Sequence, residues 1–68
     1  MHIVFLETST GVELLQIDSN DVAGVLAAAQ GVSVTFPTGH FKYEFHNLDH
    51  YIENEEFRQE LVIYLERV

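Results

Sequence analysis

The stretch Asn54-Glu-Glu-Phe-Arg-Gln-Glu-Leu-Val-Ile-Tyr-Leu-Glu-Arg-Val68 sets the fold class. Phe57, Leu61, Tyr64, Leu65 and Val68 recur at helical spacing and form one apolar stripe. Asn54, followed by Glu55 and Glu56, resembles a capped helix start. The spacing therefore predicts a helix from about Glu55 to Arg67, preceded by a short turn at Asp49–Glu53. Ile63 lies off the stripe, which makes it a second candidate contact.

Immediately upstream, Val32 to His46 reads as a β-hairpin. Two alternating runs flank Pro37-Thr38-Gly39-His40, a turn signal. Pairing Phe36 with Phe41 sets Val34 against Tyr43 and Val32 against Phe45. All six then share one face, and Ser33, Thr35, Lys42, Glu44 and His46 share the other.

Further upstream, Asp18-Ser19-Asn20-Asp21 is a helix start signal. Ser19 or Asn20 is placed to cap, and Asp21 suits the positive end of the helix dipole. Val22, Val25, Leu26 and Ala29 follow at helical spacing, and Gly31 is placed to end the helix, giving about Asn20 to Gln30. Before it, His2–Glu7 and Val12–Ile17 read as strands joined through Thr8-Ser9-Thr10-Gly11. Pairing Glu7 with Val12 puts Phe5 opposite Leu14 and Ile3 opposite Gln16. The other face of this hairpin carries Val4, Leu6, Leu15 and Ile17. Apolar residues on both faces are the mark of a strand covered on both sides. In so short a chain the second cover is expected to be another copy, which points to a homodimer.

The expected architecture is α+β: a ββαββα order, one antiparallel sheet, and two helices packed on one of its faces. The 68 residues make a single domain, 1–68, in two halves of like plan, 1–31 and 32–68. No residue-level identity links the halves.

Composition removes several function classes. There is no cysteine, so neither a disulfide nor a Cys-ligated zinc site can form. The longest apolar run, Val22 to Ala29, is too short to span a bilayer, and Met1-His2-Ile3 has no basic region before an apolar stretch, so no signal peptide is expected. A cytoplasmic location is expected. Eleven acids against three bases give a net charge of −8. Lys42, Arg58 and Arg67 cannot form the basic patch that nucleic acid requires, and anionic membrane is disfavoured for the same reason. A basic protein partner is favoured instead.

Candidate chemistry is sparse. His46, His50 and Glu53 stand at i, i+4 and i+7, which on one helix would share a face and hold zinc or nickel. His46 reads as a strand end, however, so the sequence assigns no metal and no cofactor. A pH-sensing role for these histidines is the other reading of the pair. Ser9, Ser19 and Ser33 fall at a turn, a cap and a wet strand position, and no nucleophile elbow or phosphate loop is present. No catalytic residue is assigned, and the chain reads as a non-enzyme.

What remains is surface. Glu44, Asp49, Glu53, Glu55, Glu56, Glu60 and Glu66 concentrate negative charge in the second half. Glu56 and Glu60, as i, i+4 neighbours on a helix, would repel each other. The candidate partner-binding residues are Glu53, Glu55, Glu56, Glu60 and Glu66 for charge, with Tyr51 and Ile52 as apolar anchors. Such a surface imitates phosphates and can block the nucleic-acid-binding face of a partner. In size and charge alone the chain resembles the small acidic inhibitors of phages and mobile elements. The competing expectation is a self-associating structural subunit.

Overall fold

The computed structural model describes residues 1–68. Its elements are β1 (His2–Glu7), β2 (Glu13–Asp18), α1 (Val22–Ala29), β3 (Val34–Phe36), β4 (Gly39–Glu53) and β5 (Glu56–Arg67). The five strands form one sheet in the order β2-β1-β5-β4-β3. All neighbours are antiparallel except β1 and β5, which run parallel with Ile3 beside Leu61 and Phe5 beside Ile63. The expected α+β arrangement with two helices on one face is therefore overturned. The chain is mostly strand, with one short helix against a curled mixed sheet.

The correction turns on Asn54–Val68. Leu61-Val62-Ile63-Tyr64-Leu65 is a run of five apolar residues, three of them β-branched or aromatic. A helical stripe uses only some of them. A central strand uses all: Leu61, Ile63 and Leu65 point under the helix, and Val62 and Tyr64 point to the outer face. Leu61, Val62, Ile63 and Leu65 are all buried. Asn54 and Glu55 do not cap a helix. Their φ angles of 51° and 63° form the two-residue turn that joins β4 to β5, with Glu53 paired to Glu56. Positive φ at both central residues is the geometry that matches strand twist in a tight hairpin. The turn expected at Asp49–Glu53 is likewise part of a continuous β4. The second half of the chain is thus three strands, and the ββα plan does not repeat.

Registers depart from the expected ones at two bulges. In β2 the extra residue Leu14 lets Phe5 pair with Leu15 and Ile3 with Ile17, rather than Phe5 with Leu14 and Ile3 with Gln16. In β4 the extra residue Glu44 separates Tyr43, paired with Leu65, from Phe45, paired with Tyr64. The one-residue slip sends Phe45 to the outer face, away from Tyr43. The β3–β4 hairpin closes one pair tighter than expected, with Phe36 opposite Gly39 and Val34 opposite Phe41. Val32 lies outside the strand and is exposed. Val34, Phe36, Phe41 and Tyr43 keep the inner face.

Helix α1 is capped by Asp21, whose Oδ1 accepts from the Gly24 N–H at 3.1 Å. Ser19 acts one step earlier, accepting from the Asp21 N–H at 3.1 Å. The helix lays Ala29, with Val22, Val25 and Leu26, onto a core of Ile3, Phe5, Phe41, Leu61, Ile63 and Leu65. Phe5, Phe36 and Phe41 meet edge to face.

One polar cluster locks the end of the sheet where Arg67 sits. Glu7 is buried and its carboxylate accepts from the hydroxyls of Ser9 and Thr10, at 3.4 and 3.1 Å. The Arg67 Nε lies 3.4 Å from the same carboxylate. Arg67 also donates to the Thr38 carbonyl at 2.9 Å and lies over the Phe41 ring. A Cβ on Gly39, whose φ is 150°, would meet the Arg67 Nη1 at 2.5 Å. The β1–β2 and β3–β4 turns are therefore tied together through a single guanidinium.

Candidate functional site

The β4–β5 hairpin outruns the rest of the sheet. The pairing of β1 with β5 begins at His2 beside Glu60, and β3 covers β4 only from Gly39 to Phe41. Beyond Asp49 and Glu60 the two strands continue alone to the Asn54-Glu55 turn. This segment is a projecting ribbon. Two-stranded ribbons without further cover are marginal in water.

The two faces of the ribbon differ. On the outer face, cross-strand partners are Asp49 with Glu60, Tyr51 with Arg58, and Glu53 with Glu56. Two of these three pairs set like charges directly opposite each other, which is destabilising. Arg58 reaches along its own strand to Glu56 at 3.1 Å. On the inner face the partners are Leu48 with Leu61, His50 with Gln59, and Ile52 with Phe57. Ile52 is 69% exposed and Phe57 82% exposed. An apolar pair thus stands in solvent at the end of the ribbon, separated from the core by the hydrogen-bonded His50–Gln59 pair.

Six of the seven candidate binding residues meet on this ribbon: Tyr51, Ile52, Glu53, Glu55, Glu56 and Glu60. They do not share a face. Tyr51, Glu53, Glu56 and Glu60 are on the outer face, Ile52 is on the inner one, and Glu55 is at the tip. Glu66 stands apart, beside Lys42 at the far end of β5. The helical spacing puts Phe57 in a buried stripe, whereas on the strand it is one of the most exposed apolar residues. Leu48 and Phe57 complete the apolar side. Neither carried a sequence signal for it, because the helical reading placed Phe57 in the core.

The histidines do not converge. His46 and His50 share the inner face of an extended strand and lie ~13 Å apart at about 3.3 Å per residue. Glu53 is on the opposite face. The helical i, i+4, i+7 arrangement does not form, and no group of three His, Cys, Asp or Glu is close enough to hold a metal. His46 Nδ1 is 2.6 Å from the Tyr43 hydroxyl instead.

The self-association set also divides. Val4 and Leu6 are on the outer face, beside Val62 and Tyr64. Ile17 pairs with Ile3 and packs against the core, so its assignment to the outer face is corrected: the Leu14 bulge reverses its direction. Leu15 is 43% exposed. Phe45 stacks on Tyr64 at 4.4 Å between ring centroids and adds to this outer patch. An open groove of about 560 Å³ lies between the ribbon and the start of β1, lined by His2, Asp18, Tyr51, Glu53, Phe57 and Arg58 among others.

The chain matches no protein-family model, no curated protein and no solved structure. No helix is long and apolar enough to cross a membrane.

Proposed function

We propose that this chain is a small acidic, non-enzymatic protein-binding module whose β4–β5 ribbon docks on a basic surface of a partner protein. The observation that carries the reading is the pairing of Asp49 with Glu60 and of Glu53 with Glu56 on one face. Each pair weakens the ribbon that holds it. Arg58 lies between the pairs and reaches Glu56, but this single cation leaves Asp49, Glu53 and Glu60 without an ion pair, so the charge is best explained by what it meets outside the molecule. In its sharpest form the reading is an inhibitor, of the kind made by phages and mobile elements, that occupies the nucleic-acid-binding face of its partner. The cysteine-free composition favours a cytoplasmic setting.

The test is capture from a lysate of the producing cells at low salt, with elution by rising salt and, separately, by duplex nucleic acid. The expected result is a basic protein released by both. The triple variant Glu53→Lys, Glu56→Lys, Glu60→Lys is expected to capture none of it. Equal capture by the triple variant and the parent would overturn the reading.

A second reading is self-association through the outer face. Phe45, half-exposed and stacked on Tyr64 next to Val4, Leu6 and Val62, favours it. A particle of twice the chain mass that Phe45→Lys converts to monomer would support it. A monomer at all concentrations would rule it out.

A further inference from the structure

We infer that the partner binds by adding a strand to the open edge of β4, and that the added strand alternates basic and apolar residues. This rests on the partner-binding reading above and specifies its mode. From Lys42 to Glu53 β4 has a neighbour on one side only, since β3 ends opposite Phe41. Every residue from Glu44 to His50 is exposed. Counted back from the Glu53–Glu56 pair at the turn, the alternation of an antiparallel ladder turns the N–H and C=O groups of Ile52, His50 and Leu48 away from β5. These groups are a row of unpaired donors and acceptors, the template on which extended peptides add.

Natural edges are guarded by lysine, proline or short length. From Lys42 to Glu53 this edge has no proline, and its one lysine, Lys42, and its bulge, at Glu44, lie together at one end. Along the rest the charges are carboxylates, Asp49 and Glu53, which repel an acidic edge and accept a basic one. The opposite edge of the ribbon is a poorer template, because only Glu56–Gln59 lies clear of β1.

Charge chooses the occupant. Successive side chains of an added strand fall alternately beside Leu48, His50 and Ile52 on the inner side, and beside Asp49, Tyr51 and Glu53 on the outer side. The inner side calls for apolar residues and the outer side for Lys or Arg. A second copy of this chain is disfavoured, because residues 49–60 carry five carboxylates against Arg58. Two such ribbons joined edge to edge would set like charges on one face.

The probe is a short, end-blocked peptide alternating lysine and valine, titrated against the full chain and compared with a peptide of the same composition in block order. The alternating peptide is expected to bind and the block peptide to bind about tenfold more weakly, the loss of roughly one well-made hydrogen bond or more. His50→Pro removes an outward N–H that β5 does not use, and is expected to weaken the alternating peptide to a similar degree. A complementary arm leaves the protein untouched: methylating one alternate set of peptide amides is expected to abolish binding, and methylating the other set to leave it. Equal binding of both peptides, insensitive to amide methylation but lost in the Glu53/Glu56/Glu60 charge reversal, would overturn edge addition while leaving the acidic-arm reading intact. No binding of either peptide, with no basic protein captured from lysate, would overturn both. A dimer abolished by His50→Pro, with no peptide bound, would assign the edge to a second copy.

Discussion

Arg67 ties three parts of the fold together. Its guanidinium faces the buried Glu7 carboxylate, the Thr38 carbonyl and the Phe41 ring. Removing it leaves Glu7 buried with only hydroxyl donors. Arg67→Ala is expected to cost about 1–2 kcal/mol, at the low end for a buried carboxylate because the guanidinium is itself half-exposed. Chemical denaturation would measure it. Arg67→Lys keeps the charge but cannot reach all three partners, and is expected to recover only part of the loss. None of this cluster was legible beforehand. Glu7 and Arg67 are sixty residues apart, and each in isolation reads as an ordinary surface charge. Gly11, by contrast, was readable: a glycine in a Thr-Ser-Thr-Gly turn takes the positive φ, here 72°, that the turn requires.

At the scale of elements, the strands of the first half could be read because short apolar runs, Ile3–Leu6 and Leu14–Ile17, are bounded by conventional turn residues, though not their register, which the Leu14 bulge shifts. The last element could not. Asn-Glu is an uncommon pair for a tight hairpin turn, where glycine usually follows asparagine, so Asn54-Glu55 looked like a helix cap. The run Leu61–Leu65 is apolar without a break, and such runs do not distinguish buried helix from buried strand by period. The decisive property was the β-branched and aromatic content, Val62, Ile63 and Tyr64. The candidate site was legible as a set of residues and not as a shape. Its acidic members were named, yet their division between two faces and the exposure of Phe57 depend on the strand. Two measurements probe the ribbon. Glu53→Lys turns a like-charge cross-strand pair into an opposite one, leaves the Arg58–Glu56 ion pair in place, and is expected to raise stability by about 0.5 kcal/mol. Phe57→Ser is expected to change stability by less than about 0.5 kcal/mol, since the side chain touches little, and to weaken partner capture clearly. A large loss of stability in Phe57→Ser would place that residue in the core and contradict the ribbon.

For the molecule as a whole, stability comes from one thin core beneath a short helix. Ile3, Phe41, Ile63 and Leu65 are fully buried, and a chain of this length has little reserve. Ile63→Ala is expected to cost about 2–5 kcal/mol, enough to leave much of the population unfolded in a domain of ordinary marginal stability. Loss of the thermal transition would be the readout. Helix α1 buries only Ala29 completely, and isolated helices of its length are marginal, so its amides are expected to exchange well before those of β1 and β5. Charge is distributed with the same asymmetry: Lys42 and Arg67 sit at the other end of the sheet, and the ribbon from Asp49 to Glu60 sets five carboxylates against Arg58 alone. A rigid sheet therefore holds out a weakly held, acidic arm with one open edge.

Amide hydrogen exchange of the whole chain, residue by residue, tests that picture most directly. In the free protein the expected pattern alternates along β4: Asn47, Asp49 and Tyr51 protected by β5, and Leu48, His50 and Ile52 fast. Adding the alternating lysine–valine peptide is expected to protect the second set and leave the outer face unchanged. Continuous protection from Glu55 to Arg67 without alternation at β4 would contradict the strand and the ribbon together. An unchanged pattern with peptide bound would contradict the open edge as the binding site.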